Sequence, residues 1–295
     1  MKSSRFWLTS LAVFAFADLI SLYPVAAYER NPAADSDFSS RPESIEIYVP
    51  PVEDVVAPSC PDALEVAINR VIASRPSNWG IRVESLTDGT VLYSHNADKH
   101  FIPASNTKLF TTAAALQKLN PNSSIRSKSV KDWVTTTNRM SNNYYADALL
   151  RHIGGQQAAK SALANLGVDP RAYRLADGSG LSRRNAATPN VLVDILRAMY
   201  YAPGNQVFQA SLPVAGVSGT LRNRMKRTPV QGTVYAKTGT LRGVRALSGY
   251  MNHPQHGVLL FSILANDSRQ SGTSLVRTID KIVLQINSSA LNCPI

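Results

Sequence analysis

The sequence predicts an α+β fold: one antiparallel sheet of five strands, assembled from both ends of the chain, with a block of helices beside it. Three observations predict it. The alternating segments "WGIRVESL" and "VLYSH", joined by "TDGT", read as a hairpin early in the chain. Three further strand-like runs, "TVYAKTGTL", "VRALSGYMN" and "GVLLFSILAND", follow one another near the C-terminus. Between the two groups lie Ala- and Leu-rich segments of helical character. Such a sheet and helical block leave a cleft between them, the natural place for a site.

The elements justify themselves in order. "PDALEVAINRVIASR" is amphipathic and predicts a helix over about 62–74, ahead of the hairpin. "SNTKLFTTAAALQKL" predicts the first helix of the block. "YYADALLRHI" stops at Gly154-Gly155, and "QQAAKSALANL" stops at Gly167. "ATPNVLVDILRAMYY" opens with Thr188 as cap and Pro189 in the first turn. After the three strands, "SLVRTIDKIVLQINSS" closes the chain as another amphipathic helix.

Composition bounds the setting. The 295 residues are 44% apolar, enough for a substantial core, with no internal repeat. Lys2 and Arg5 precede an uncharged run from Phe6 to Ala17, with small residues Val25 and Ala27 beyond it. This predicts a cleaved signal peptide over 1–27, with an uncleaved anchor as the alternative, and export to the periplasm or cell envelope, although Asp18 departs from the pattern. Residues 28–58 hold seven acids, two arginines and many Pro and Ser, which reads as a flexible linker. Residues 59–295 form the folded domain, its sheet part about 59–100 and 230–295 and its helical part about 101–229. Cys60 and Cys293 belong to no CxxC motif; with export they are a candidate disulfide joining the ends of the domain.

The net charge of +11 is uneven: residues 59–295 carry 27 Lys and Arg against 12 Asp and Glu. That balance favours an anionic partner, either wall polymer or peripheral membrane surface; export argues against nucleic acid. There is no GxSxG elbow, HExxH, Walker loop or GxGxxG, and neither a metal nor a cofactor is expected. His253 and His256, three apart beside Pro254, read as a turn.

Chemistry concentrates in three short stretches. In "PASNTKLF", Ser105 is followed three residues later by Lys108. A capping serine is often followed there by Glu or Gln, and a cation is the wrong sign for a helix start. The misplacement has a use: burial and the helix dipole disfavour the ammonium form, so the amine can take a proton from the hydroxyl beside it. Second, Ser141-Asn142-Asn143 forms a turn ahead of a helix, a pattern that an ordinary N-cap also produces. Ser94-His95-Asn96 matches it equally well at a hairpin end. Third, "AKTGTL" puts Lys237, Thr238, Gly239 and Thr240 on a strand, where glycine marks a close backbone approach.

In that order, S-x-x-K, S-x-N and K-T-G resemble the motifs of the penicillin-recognising serine enzymes. "DGSGLSRRNAATP", "LPVAGVSGTLRNRM" and "AKTGTLRGVRALSGYM" resemble more closely the D-alanyl-D-alanine carboxypeptidase/endopeptidase family, the class C low-molecular-mass penicillin-binding proteins. The resemblance spans roughly 60–290 and implies the β-lactamase/penicillin-binding (DD-peptidase) fold. One departure stands out: the family typically carries a long insertion between its first two motifs, and here 36 positions separate Ser105 from Ser141.

The resemblance implies a peptidoglycan stem peptide as substrate and β-lactams as covalent inhibitors. It implies Ser105 as nucleophile, Lys108 as its base, Ser141 as proton relay held by Lys108 and Lys237, and Asn143 orienting the substrate. Thr238, Gly239 and Thr240 with Lys237 would hold the terminal carboxylate, with Arg242 or Arg245 as assistants. The backbone N–H groups of Ser105 and Thr240 would form the oxyanion hole. Asp177 and Ser179 would shape the wall. No glutamate occurs after Glu84, so the route by which class A β-lactamases activate the deacylating water is not expected. A β-lactamase or esterase of the same fold, and a silent wall-binding or sensor domain, are the competing readings.

Overall fold

The computed structural model describes residues 60–289; the signal-peptide and linker assignments and the Cys60–Cys293 pairing lie outside what it describes. Helix α1 (Cys60–Ile72) leads into β1 (Trp79–Ser85) and β2 (Val91–His95). A helical block follows: α2 (Thr107–Lys118), α3 (Val130–Arg139), α4 (Asn143–His152), α5 (Gly155–Ala164), α6 (Pro189–Tyr201) and α7 (Asn205–Ser211). The chain then returns through β3 (Val234–Leu241), β4 (Val244–His253), β5 (Gly257–Asn266) and α8 (Gly272–Ser289).

The five strands form one antiparallel sheet in the order β2-β1-β5-β4-β3, so the early hairpin joins the three late strands where β1 pairs with β5. Strands β1, β4 and β5 are buried on both faces, because helices cover each. On one face α1 and α8 pack through Leu64, Ile68, Ile72, Leu275, Ile279 and Ile282 against Ile81, Phe261 and Ile263. On the other, Phe110, Leu192, Ile195 and Leu196 of the block meet Tyr250, Leu260 and Leu264. Two cores therefore share one sheet, and β3 stands at its edge beside the block.

Caps fall where sequence placed them in part. The Thr188 side chain accepts the Val191 amide, as expected. Helix α7 and two small ribbons, Ser124–Ile125 with Lys128–Ser129 and Tyr173–Arg174 with Ala186–Ala187, were not expected. The first ribbon together with α3 fills the short stretch between the first two motifs. His253 sits in a turn: its Nδ1 accepts the amides of Gln255 and His256, while Nε2 lies 3.0 Å from the Asn287 carbonyl. His95 and Asn96 hold carbonyls of residues 76 and 79, which is a structural task. Among the described residues, no helix is long and apolar enough to cross a membrane.

Candidate active site

Ser105 stands in a single 3-10 turn, Ala104–Asn106, directly ahead of α2. The approach is strained: Ala104 has φ +49°, a left-handed conformation that costs a non-glycine residue roughly 1–2 kcal/mol. The turn is clamped from two sides. A Cβ on Gly180 would lie 1.9 Å from the Ala104 carbonyl oxygen, and one on Gly239 would lie 2.7 Å from that of Pro103. Glycine at these two positions lets the 177–185 loop and β3 close on the serine's backbone. From below, the wholly buried Asn106 donates to Ser248 Oγ on β4 (2.7 Å), which donates to Ser262 Oγ on β5 (2.9 Å).

Lys108, in the first turn of α2, is fully buried. Its Nζ lies 3.0 Å from Ser105 Oγ, 2.8 Å from Asn143 Oδ1 and 2.5 Å from the Ser179 carbonyl. Burial brings its pKa down from the ordinary lysine value to about 8, against the opposing pull of the Asp147 and Asp177 carboxylates.

Ser141 occupies the turn between α3 and α4, itself left-handed at φ +53°. Asn142 caps α4 by accepting the Tyr145 amide, so neither Ser141 nor Asn143 is spent on capping. Lys237, also fully buried, donates to Ser141 Oγ (2.8 Å) and to the Thr238 carbonyl (2.9 Å). Burial first, and then the charge of Lys108, hold its pKa well below the usual lysine range. Thr238 Oγ1 lies 2.7 Å from Thr220 Oγ1, and Thr240 is exposed at the cleft.

The structure thus brings Ser105, Lys108, Asn143, Ser141 and Lys237 into one hydrogen-bonded group. One expected contact is rearranged. Among the described residues Ser141 is held by Lys237 and not by Lys108, whose donors face Ser105, Asn143 and Ser179. Arg245 is turned onto the β3–β4 connection, donating to the carbonyls of Leu241 and Val244, and Arg242 lies exposed beside it.

Asp177 ties down the 177–185 loop. It accepts the amides of Gly180 and Ser182 and the Asn185 side chain, fixing the loop behind Ser105. Sequence reasoning missed the Ser179 carbonyl, Gly180, Asn106, Asp147 and Thr220. Gly180 alone left a signal, as a glycine inside the "DGSG" stretch. Among the described residues, no group of three or more His, Cys, Asp and Glu is placed to hold a metal.

The family model of the D-Ala-D-Ala carboxypeptidase 3 (S13) family matches residues 64–128 and 123–286. The chain belongs to that family. The two matched pieces meet at the small ribbon between the first and second motifs, where the family's insertion was expected to be missing. A D-alanyl-D-alanine carboxypeptidase of an Actinomadura species is 43% identical over 164 residues, 50% of this chain and 30% of that protein. A penicillin-sensitive carboxypeptidase A of Dictyostelium discoideum is 34% identical over 171 residues, 52% of this chain and 33% of that protein. The chain therefore aligns with about a third of the length of these relatives. Among solved structures, penicillin-binding protein 4 of Haemophilus influenzae superposes with a TM-score of 0.66 at 15% identity, over 75% of this chain and 99% of that one. A class A β-lactamase from Bacteroides cellulosilyticus gives 0.65 at 19% identity, over 78% and 98%. At such identities these two establish the β-lactamase/penicillin-binding fold and nothing finer.

Proposed function

We propose that this domain is a serine-type D-Ala-D-Ala carboxypeptidase acting on peptidoglycan stem peptides in the cell envelope, and acylated by β-lactams. One observation carries the reading: Lys108 Nζ sits 3.0 Å from Ser105 Oγ while two carbonyl oxygens, of Asn143 and Ser179, face it from other directions. A neutral amine has two N–H bonds and one lone pair. With both N–H groups donated to those carbonyls, the lone pair is left for the serine proton.

Ser105 Oγ attacks the carbonyl carbon of the penultimate D-alanine as its proton passes to Lys108 Nζ. The oxyanion lies between the backbone N–H groups of Ser105 and Thr240, where loss of one donor typically costs about 3–4 kcal/mol. Lys237 orients Ser141, whose hydroxyl delivers a proton to the departing amine as the C–N bond breaks. The proton Lys108 took from Ser105, no longer shared with that oxygen once it is acylated, restores the Ser141 hydroxyl, so Lys108 is neutral again and the leaving product is D-alanine. Lys237 and Thr238 receive the terminal carboxylate, and the Asn143 amide N–H₂ faces the substrate backbone. Water then repeats the attack on the ester, with Lys108 accepting its proton and returning it to Ser105 Oγ as the ester C–O bond breaks.

A bicyclic β-lactam follows the same first half, but its leaving nitrogen stays tethered. With no glutamate after Glu84 to activate water by the class A route, the acyl-enzyme persists. The excess of cations over the domain supports contact with anionic wall or membrane surface. Incubation with a soluble pentapeptide and mass analysis tests the function: release of one alanine is expected, and its absence in a folded, correctly exported protein refutes it.

A further inference from the structure

Between the first two motifs, where the chain is short for its family, the fold builds a pocket that the proposed reaction does not use. It is a cavity of about 280 Å³ lined by Ile125, Arg126, Trp133, Tyr144, Arg151 and His152. Its floor is aromatic and held in place. The Trp133 indole N–H donates to the Ile125 carbonyl, and its ring packs 4.5 Å from that of Tyr145. Tyr145 in turn meets Tyr144 edge-on at 6.0 Å and receives the Lys128 ammonium on its hydroxyl at 2.8 Å. The result is a Tyr144 ring that stays 58% exposed yet stands against a fixed neighbour.

The rim is cationic. Arg126 at the ribbon tip, Arg151 and His152 are exposed, and among the described residues none has a side-chain hydrogen-bond or ion-pair partner. Arg126 is held there at φ +56°, a conformation a long side chain adopts at a cost of about 1–3 kcal/mol. A two-residue turn that needed only to reverse the chain would favour Asn or Gly at such a position. An arginine spends that strain on holding a guanidinium at the pocket mouth.

Aromatic floor and paired guanidiniums together define a ligand. The C–H face of a pyranose ring can lie on a tyrosine, and an arginine fork takes a carboxylate or phosphate in two parallel bonds. We propose that this pocket binds an anionic sugar of the wall glycan, with Tyr144 under the ring and Arg126 and Arg151 on its carboxylate or phosphate. Tyr144 follows Asn143 directly, and residues 144, 148, 151 and 152 share one stripe of α4. The bound sugar therefore lies beside the cleft, on the α4 side; because a lactyl carboxyl that carries a stem peptide is a neutral amide, the sugar bound here is a neighbouring unit without a peptide. The proposal rests on the wall-peptidase reading only for the choice of ligand.

The test uses the full mature chain with Ser105→Ala, so that binding is read without catalysis. A disaccharide of N-acetylglucosamine and N-acetylmuramic acid with a free lactyl carboxylate, N-acetylglucosamine 1-phosphate, and neutral chitobiose are titrated by calorimetry or by NMR. At least one anionic sugar is expected to bind tenfold or more tightly than chitobiose; which one does so tells carboxylate from phosphate. The Arg126→Gln/Arg151→Gln double variant should lose that preference. In an otherwise wild-type chain it should leave penicillin acylation and D-alanine release from a free pentapeptide unchanged. Equal binding of chitobiose, no binding of either anionic sugar, or binding indifferent to the double substitution overturns the proposal. Penicillin acylation of the wild-type chain reports separately on the active site, so the two readings fail independently.

Discussion

Gly239→Ala probes the geometry on which the active site depends. The residue's φ is not in the left-handed region, so alanine meets no backbone penalty; only space matters. The new methyl would stand 2.7 Å from the Pro103 carbonyl, 2.8 Å from Ala246 Cβ and 3.3 Å from Ala104 Cβ. The first two separations are clashes and the third is a tight contact, and two of the three atoms belong to the segment entering the serine turn. Overpacking of this kind costs about 1–3 kcal/mol, a drop of about 3–9 °C in melting temperature for a domain of this size. The larger effect is on chemistry. Relief requires β3 to move off the turn by several tenths of an ångström, separating Thr240 N–H from Ser105, and displacements approaching 1 Å cost about 100-fold in rate. Fluorescent-penicillin labelling followed over time, at a temperature where circular dichroism shows both proteins folded, reads that loss. A variant that is acylated at the wild-type rate would refute the idea that close approach of the strand positions the site.

Three further outcomes follow from the same geometry. Acylation should rise with pH through a midpoint near 8 to a plateau above it, following Lys108, and Asp147→Asn should move the midpoint down, because it removes a carboxylate that favours the ammonium while an amide oxygen can still accept the Gly178 amide; a stopped-flow pH profile unmoved by the substitution contradicts this. Stability should increase as pH rises from about 8 towards 10, since the unfolded chain there still binds the proton that folded Lys108 has released. The gain approaches about 3 kcal/mol, and Lys108→Met should remove much of the slope of urea midpoint against pH, leaving the part due to Lys237. Gly180→Ala, strained at φ +84° and with its methyl driven into the Ala104 carbonyl, should destabilise by more than about 3 kcal/mol; thermal melting checks it.

Much of this molecule was legible in sequence because its strongest signals are local. The hairpin, the three C-terminal strands and the long helices announce themselves by period, and Thr188-Pro189 marks a helix start. Helix α7 is only seven residues long and opens at a glycine, so neither period nor cap identifies it. The two small ribbons are two residues a strand and owe their pairing to tertiary context. In the site, S-x-x-K and K-T-G carry their residue types openly. What they do not carry is backbone: the left-handed Ala104 and Ser141, and the Ser179 carbonyl that takes one donor of Lys108, are conformations imposed by packing. In the structure the Ser179 main-chain carbonyl takes one donor of Lys108, and Ser141 is held by Lys237. Asn106, between Ser105 and Lys108, belongs to no motif and leaves no sequence signal, yet it fastens the turn to β4 and, through Ser248, to β5.

The account depends on Ser105 becoming a nucleophile by giving its proton to Lys108, and mass spectrometry of the penicillin-treated chain tests that most directly. The expected result is a single adduct mapped to the peptide bearing Ser105, abolished by Ser105→Ala and slowed at least about 100-fold by Lys108→Met. An adduct on Ser141 or elsewhere, or labelling that persists without Ser105, contradicts it.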